Sequence, residues 1–141
     1  MKLTYGFRYG GMRTKRVETP SRTIIGKGDI LRYGVARLVE PAPAGNGFIC
    51  GVAGEEISPH RESEDSKVLI HDDMGAVFFH PVMKEQTVTI VLRGKTCDIG
   101  GKQIIDIKSG KTGVVLIVDV DLELNGVYWQ MNPAKLVTES V

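Results

Sequence analysis

The sequence has only two cysteines, no long apolar run and no sustained helical periodicity, and each shortage excludes a class of protein. Cys50 and Cys97 match no zinc-ligand spacing, and we expect both to be reduced thiols packed as small hydrophobic residues. No apolar run approaches the roughly 20 residues of a membrane-spanning helix, and the N-terminus lacks the apolar core of a signal peptide. No segment repeats apolar residues at helical spacing, which argues against a helical bundle.

Glycine, by contrast, is abundant at 17 of the 141 residues, and its positions divide the chain into short runs. About ten short strands at turn-separated intervals predict one all-β domain over residues 23–141, built as a small β-clip, β-barrel or sandwich. The runs 67–73 and 75–82 predict a hairpin, and Asn125-Gly126 predicts a second one. Residues 87–94 begin with five β-branched residues and predict a buried strand.

The formal net charge of +1 conceals an uneven distribution. Residues 1–22 hold six cations against one acid, a charge of +5, which leaves −4 for the rest of the chain. Tyr5, Phe7 and Tyr9 alternate in this segment, as in a strand that forms by docking on another molecule. We therefore interpret residues 1–22 as an extended basic N-terminal arm that binds an acidic partner. The residues expected to make this contact are Lys2, Tyr5, Phe7, Arg8, Tyr9, Arg13, Lys15 and Arg16.

No residue pattern in the sequence indicates catalysis, so we expect a protein that is not an enzyme and that has no metal or cofactor. Nucleophile motifs such as GxSxG are absent. His71 and His80 lie on the two sides of the predicted 67–82 hairpin, where Asp72 or Asp73 would complete a metal site. Their spacing is no recognised ligand signature, and an enzyme built on them remains an alternative hypothesis.

Two further features each admit two interpretations. Asp119, Asp121 and Glu123 form either the solvated face of a strand or a docking surface for the basic arm of a neighbouring copy. Tyr128 and Trp129 either anchor a core or interface, or stack nucleic-acid bases beside the basic arm. The alternative function is therefore a small β-barrel that binds nucleic acid, which the acidic residues near Trp129 disfavour.

Four short motifs between residues 24 and 82 follow a recognisable order. They are Gly28-Asp29-Ile30-Leu31, Ala36-Arg37-Leu38-Val39, Gly51-Val52-Ala53, and Lys67-Val68-Leu69-Ile70 followed by Gly75. In this layout the chain resembles the head decoration (cement) proteins of tailed bacteriophages, including the lambda-type decoration protein. The C-terminal half of the chain is longer than a minimal lambda-type member would have.

The resemblance implies a structural virion protein that binds the major capsid protein on the capsid exterior and stabilises the expanded head. It also implies a homotrimer, made in the host cytoplasm. We expect no membrane partner, and nucleic acid is the disfavoured partner of the alternative function. The N-terminal segment would clamp neighbouring capsid subunits by adding a strand to an exposed sheet edge, where main-chain hydrogen bonds supply affinity.

Overall fold

A computed structural model of the chain describes residues 5–11, 13–20, 23–34, 37–57 and 67–134. Within these ranges the chain is all-β, as predicted, with eleven strands and a short 3-10 turn at Ile90–Leu92. The strands in chain order are β1 Gly6–Tyr9, β2 Thr14–Glu18, β3 Ile30–Tyr33, β4 Val39–Pro41, β5 Gly51–Ala53, β6 Lys67–His71, β7 Val77–Pro81, β8 Thr96–Gly101, β9 Ile104–Asp106, β10 Val115–Asp121 and β11 Gly126–Met131.

The strands form two antiparallel sheets that pack face to face as a sandwich. The six-stranded sheet has the order β1-β7-β11-β10-β8-β9, and the five-stranded sheet has the order β2-β6-β5-β3-β4. Phe78 and Trp129 of the first sheet share one buried cluster with Ile30 and Val52 of the second, which places the main core between them. In these orders β1 is an edge strand of the six-stranded sheet, and β2 is an edge strand of the five-stranded sheet.

The five-stranded sheet carries buried apolar side chains on both of its faces. Ile30 and Val52 face the main core, whereas the adjacent Leu31 and Ala53 join a second buried cluster with Ile70. Successive side chains on a strand point to opposite faces, so the second cluster lies on the far side of this sheet. Strands that are buried on both faces do not alternate apolar with polar residues, which explains the continuous aliphatic runs of the sequence.

The predicted hairpin at Asn125-Gly126 is confirmed. Asp121 of β10 pairs with Gly126 of β11 around the turn 122–125. Asn125 has a φ of 51°, in the left-handed region that asparagine tolerates well. Its side-chain oxygen accepts a hydrogen bond from the Val88 amide at 2.9 Å, so the turn also fixes the segment that precedes the 3-10 turn.

The hairpin predicted over residues 67–82 is wrong. β6 lies in the five-stranded sheet and β7 in the six-stranded sheet, so the chain passes from one layer to the other at residues 72–76. His71 pairs with Thr14 and Val52, and His80 pairs with a different sheet's β11. The local pattern of two apolar runs around a turn is the same for a hairpin and for a crossing between sheets, and here packing on the two sheets selects the crossing.

The buried strand predicted over residues 87–94 is also wrong. The segment forms the 3-10 turn instead, and its side chains Ile90 and Val91 are 58% and 67% exposed. Strand propensity is realised only where a partner strand is available, and no described strand pairs with this segment.

Candidate functional site

The predicted contact residues divide between the two N-terminal strands, one in each sheet. Phe7, Arg8 and Tyr9 lie on β1 with Tyr5 just before it, Arg13 precedes β2, Lys15 and Arg16 lie on β2, and Lys2 is outside the described residues. β1 pairs with β7 and β2 pairs with β6 of the same chain. The extended arm expected over residues 1–22 is therefore not confirmed, because its described parts are edge strands of the domain.

β1 lies close against the turn that precedes β3. Gly6 has a φ of 106°, and a Cβ there would come within 2.9 Å of the Gly28 Cα. A Cβ on Gly28 would in turn lie 2.7 Å from the Tyr5 carbonyl oxygen. Glycine at both positions lets the two backbones touch, which holds β1 against the domain.

Phe7 packs against residues of the domain itself. Its ring stacks on the His71 ring with a centroid distance of 4.4 Å and an interplanar angle of 6°. It also packs against the main core cluster. We therefore interpret Phe7 as the side chain that anchors β1, although the alternation with Tyr5 and Tyr9 predicted a shared contact role.

Tyr5, Arg8 and Tyr9 meet residues of β7 and β11 on the outer face of the six-stranded sheet. The Phe79 ring lies 5.0 Å from the Tyr128 ring and 6.2 Å from the Tyr5 ring. The Arg8 guanidinium carbon lies 5.4 Å from the Phe79 centroid, within cation–π range. Phe79 is 1% exposed beneath these side chains, while Tyr9 is 54% exposed. We call these five residues the aromatic surface.

A depression of about 410 Å³ opens on the aromatic surface, lined by Arg8, Tyr9, Tyr128 and Asp119. The Asp119 carboxylate accepts hydrogen bonds from the Val120 amide and from Arg93 Nε at 2.7 Å. These two donors, the amide first, lower the pKa of Asp119. The depression thus offers aromatic faces and both signs of charge, a chemistry suited to contact with a protein surface.

The cations beside and on β2 converge on Asp72. Arg13 Nε donates to Asp72 Oδ1 at 3.1 Å, and Lys15 Nζ lies 3.2 Å from Oδ2 of the same carboxylate. The Asp72 side chain is 5% exposed. The hydrogen bond to Asp72 raises the pKa of Arg13. Burial alone would lower the pKa of Lys15, but Asp72 and the Tyr33 hydroxyl together outweigh burial and raise it.

Arg16 completes the pairing of β2 with the domain. Its Nη1 donates to Glu55 Oε1 at 2.6 Å, and the same oxygen accepts the Leu69 amide. The acidic partner that the charge distribution predicts is therefore partly found within the chain, since Asp72 and Glu55 face three of the N-terminal cations.

The two histidines that the sequence placed on one hairpin lie on different sheets. His80 is fully buried, and its Nδ1 accepts a hydrogen bond from Trp129 Nε1 at 3.0 Å. His71 is half-buried, and burial lowers its pKa. Among the described residues, no group of three histidine, cysteine or acidic side chains is placed to hold a metal ion.

Neither the acidic stripe nor the aromatic pair forms one continuous surface. Asp119 pairs with Arg93, while Glu123 lies in the turn and not on a strand face. The register of β10 and β11 shifts at Val118, which breaks the strict alternation that the sequence suggested. Trp129 is 0% exposed, as expected of a core anchor, so its ring offers no surface for stacking bases.

One organising residue was missed by the sequence reasoning. The Asp98 carboxylate accepts hydrogen bonds from the hydroxyls of Ser109 and Thr112 and from the amides of Lys111, Thr112 and Gly113. Burial alone would raise the pKa of Asp98, but these donors outweigh it and lower the pKa to about 2. The loop of small polar residues after β9 can be recognised in the sequence. The sequence does not show that Asp98 accepts its hydrogen bonds, because Asp98 lies on the preceding strand β8.

Both cysteines are free, as expected. Cys97 is buried and Cys50 is half-buried. Burial raises the pKa of each thiol to about 12, so both stay protonated at neutral pH.

Neither a scan of protein-family models nor a search of curated proteins finds a match to this chain. Within the described residues, no helix has the length and apolar character needed to cross a membrane.

Proposed function

We propose that the protein is a non-enzymatic structural virion protein that binds the outer surface of a phage capsid and stabilises the expanded head. The observation that carries the proposal is the aromatic surface, which joins Tyr5, Arg8 and Tyr9 to Tyr128 on an exposed face. Tyrosine and arginine are enriched among the residues that dominate binding energy at protein interfaces. The resemblance over residues 24–82 supplies the partner, and this surface supplies the contact.

The edge position of β2 supports the same proposal. Four of its five residues are exposed, and in the described part of the chain it pairs only with β6. Its other side leaves main-chain groups for a strand of the capsid protein to add to. The ion pairs to Asp72 and Glu55 keep β2 extended and in register for such an addition.

Point substitutions test the proposal better than removal of the N-terminus does. A chain without residues 1–16 would lose β1, most of β2 and the Phe7 anchor, and the exposed edges of β6 and β7 would obscure the result. Tyr9→Ala removes an exposed ring and Tyr128→Ala a half-buried one, and neither ring belongs to the two buried clusters, so the fold should be retained. We expect the pair to weaken binding to expanded shells of the cognate capsid roughly tenfold or more, measured by co-sedimentation.

Ile24→Ala is the matched control, because Ile24 is 60% exposed and lies outside the aromatic surface. It should bind shells as the unmodified protein does. Full occupancy of shells by the Tyr9→Ala, Tyr128→Ala variant would show that the aromatic surface does not attach the protein. Absence of shell binding by the unmodified chain would remove the function itself.

A further inference from the structure

A small cavity opens where β1 of one sheet meets β5 and β6 of the other. Its volume is about 180 Å³, below the roughly 300–1,000 Å³ of pockets that hold drug-sized ligands. The cavity is therefore of a size for one small group, such as the end of a single side chain. We call it the basic pocket, and it is lined by Arg8, Lys27 and His71 together with Tyr5, Phe7 and Gly54.

Three of these side chains are basic, and none of the described residues that line the pocket is acidic. Glu55 and Asp72 directly follow lining residues in the sequence, but their carboxylates pair with cations on or beside β2. The Lys27 ammonium forms no ion pair within the part of the chain that the structure describes. The basic pocket therefore concentrates positive charge that its own lining does not neutralise.

The positive charges around the pocket act on each other. Burial lowers the pKa of His71, and the charge of Lys27 lowers it further, against the smaller opposing effect of Asp72. A cation that already opposes protonation of its neighbour gains from a nearby negative charge. An anion in the basic pocket would thus be attracted by Arg8 and Lys27 and would relieve the repulsion around His71.

Packing fixes the walls of the basic pocket. The Phe7 ring stacks on the His71 ring, and a Cβ on Gly54 would come within 2.9 Å of His71 Nε2, so glycine leaves the imidazole its place. Arg8 is held over the Phe79 ring, and its Nη1 donates to the Phe7 carbonyl at 3.3 Å. A pocket that is already formed has little ordering to lose when a ligand enters.

Arg8 lines both the basic pocket and the depression on the aromatic surface. A protein that covers the aromatic surface would therefore also lie over the opening of the pocket. We propose that the basic pocket binds the carboxylate of an aspartate or glutamate side chain of that protein. Charge-assisted hydrogen bonds from arginine and lysine suit a carboxylate. The identity of the partner as the capsid protein rests on the proposed function, whereas the carboxylate chemistry rests on the pocket itself.

Acetate, a minimal carboxylate, tests the pocket in the free protein. We expect the NMR signals of the His71 ring and the Gly54 amide to shift saturably with acetate, and not with chloride at equal pH and ionic strength. Lys27→Gln should raise the dissociation constant for acetate roughly fivefold. Lys108→Gln is the matched control, because Lys108 is likewise exposed but does not line the pocket. The same spectra show that each variant is folded.

Co-sedimentation with expanded shells tests whether the partner supplies the carboxylate. Lys27→Glu places a like charge opposite the bound group and should weaken shell binding roughly tenfold or more, whereas Lys108→Glu should not. Lys27 does not belong to the aromatic surface, so this loss would be separate from that of the tyrosine variants.

Several results would overturn the proposal. Shifts that are equal in chloride, or acetate binding unchanged in Lys27→Gln, would show that the pocket does not select a carboxylate. Acetate binding combined with full shell binding by Lys27→Glu would assign the pocket to a free carboxylate ligand and not to the partner protein. Equal losses in the Lys108 variants would reduce the effect to net charge. If the unmodified chain binds no shells, the proposed function fails, and the acetate titration still decides the chemistry of the pocket.

Discussion

Protonation of His80 should destabilise the fold, because its ring links the two sheets only in the neutral form. Nδ1 accepts from Trp129 Nε1, so the ring proton is on Nε2, which donates to the Gly28 carbonyl at 2.7 Å. Burial lowers the pKa of His80 to about 4, with the nearby Arg8 acting in the same direction against the Gly28 hydrogen bond. A second proton on the ring would face Trp129 N–H, donor against donor.

The size of the effect follows from the two pKa values. Above pH 6.5 the ring is neutral in both the folded and the unfolded chain, and His80 adds no pH dependence. Between pH 6.5 and about 4 the unfolded chain takes up the proton and the folded chain does not. The free energy of unfolding should therefore fall by about 3 kcal/mol across this interval, at 1.36 kcal/mol for each pH unit.

The assay is urea unfolding at a series of pH values between 7 and 4, followed by the fluorescence of Trp129, the single tryptophan. His80→Gln is the comparison, since glutamine keeps one donor and one acceptor but does not titrate. The carboxylates give both proteins the same pH dependence, which cancels in the difference between their free energies of unfolding. We expect the variant to lose about 3 kcal/mol less on acidification.

Parallel stability curves for the two proteins would refute the reasoning. If His80→Gln fails to fold, NMR titration of the His80 ring in the unmodified protein decides the matter. A ring pKa near the ordinary value of 6.5 would show that the ring is not held neutral by burial.

Two further predictions concern a loop and the N-terminal strand. Asp98→Asn removes the charge that accepts the Ser109, Thr112 and Gly113 donors, and should lower the free energy of unfolding at pH 7 by about 2 kcal/mol; an unchanged urea midpoint would contradict this role. Amides of β1 that bond to β7 should exchange with deuterium roughly a hundredfold more slowly than free amides, read by NMR in the isolated protein. Exchange at the unprotected rate would restore the interpretation of residues 1–22 as an extended arm.

The sequence predicts the fold class because its signals are local. Glycine-bounded apolar runs mark strands, and Asn125 supplies the left-handed residue of its turn wherever the surrounding chain lies. Pairings between distant segments are not local, and here the prediction failed. Nothing near His71 or His80 in the sequence tells a hairpin from a crossing between sheets. Likewise, nothing in residues 87–94 themselves shows that no described strand pairs with them.

The sequence predicted several residues of the candidate site but not how the fold arranges them. Alternation grouped Tyr5, Phe7 and Tyr9 as contact residues. Tyr5 and Tyr9 belong to the aromatic surface, whereas Phe7 packs inside the domain. Their neighbours Phe79 and Tyr128 are some 70 and 120 residues away, and only the sheet order brings them together. The charge distribution indicated an acidic partner, but not that Asp72 would supply part of it.

An extended N-terminal arm and a docked edge strand would attach the protein in different ways. A disordered arm that folds on the capsid loses conformational entropy on binding, which weakens its affinity for a given contact area. In the structure, β1 is already seated by the Gly6–Gly28 contact and the stacking of Phe7 on His71. Its exposed side chains are therefore presented in place, and little ordering is left to oppose binding. Under the proposed capsid attachment this arrangement would favour binding, because affinity then depends on the contacts themselves and not on folding a tail.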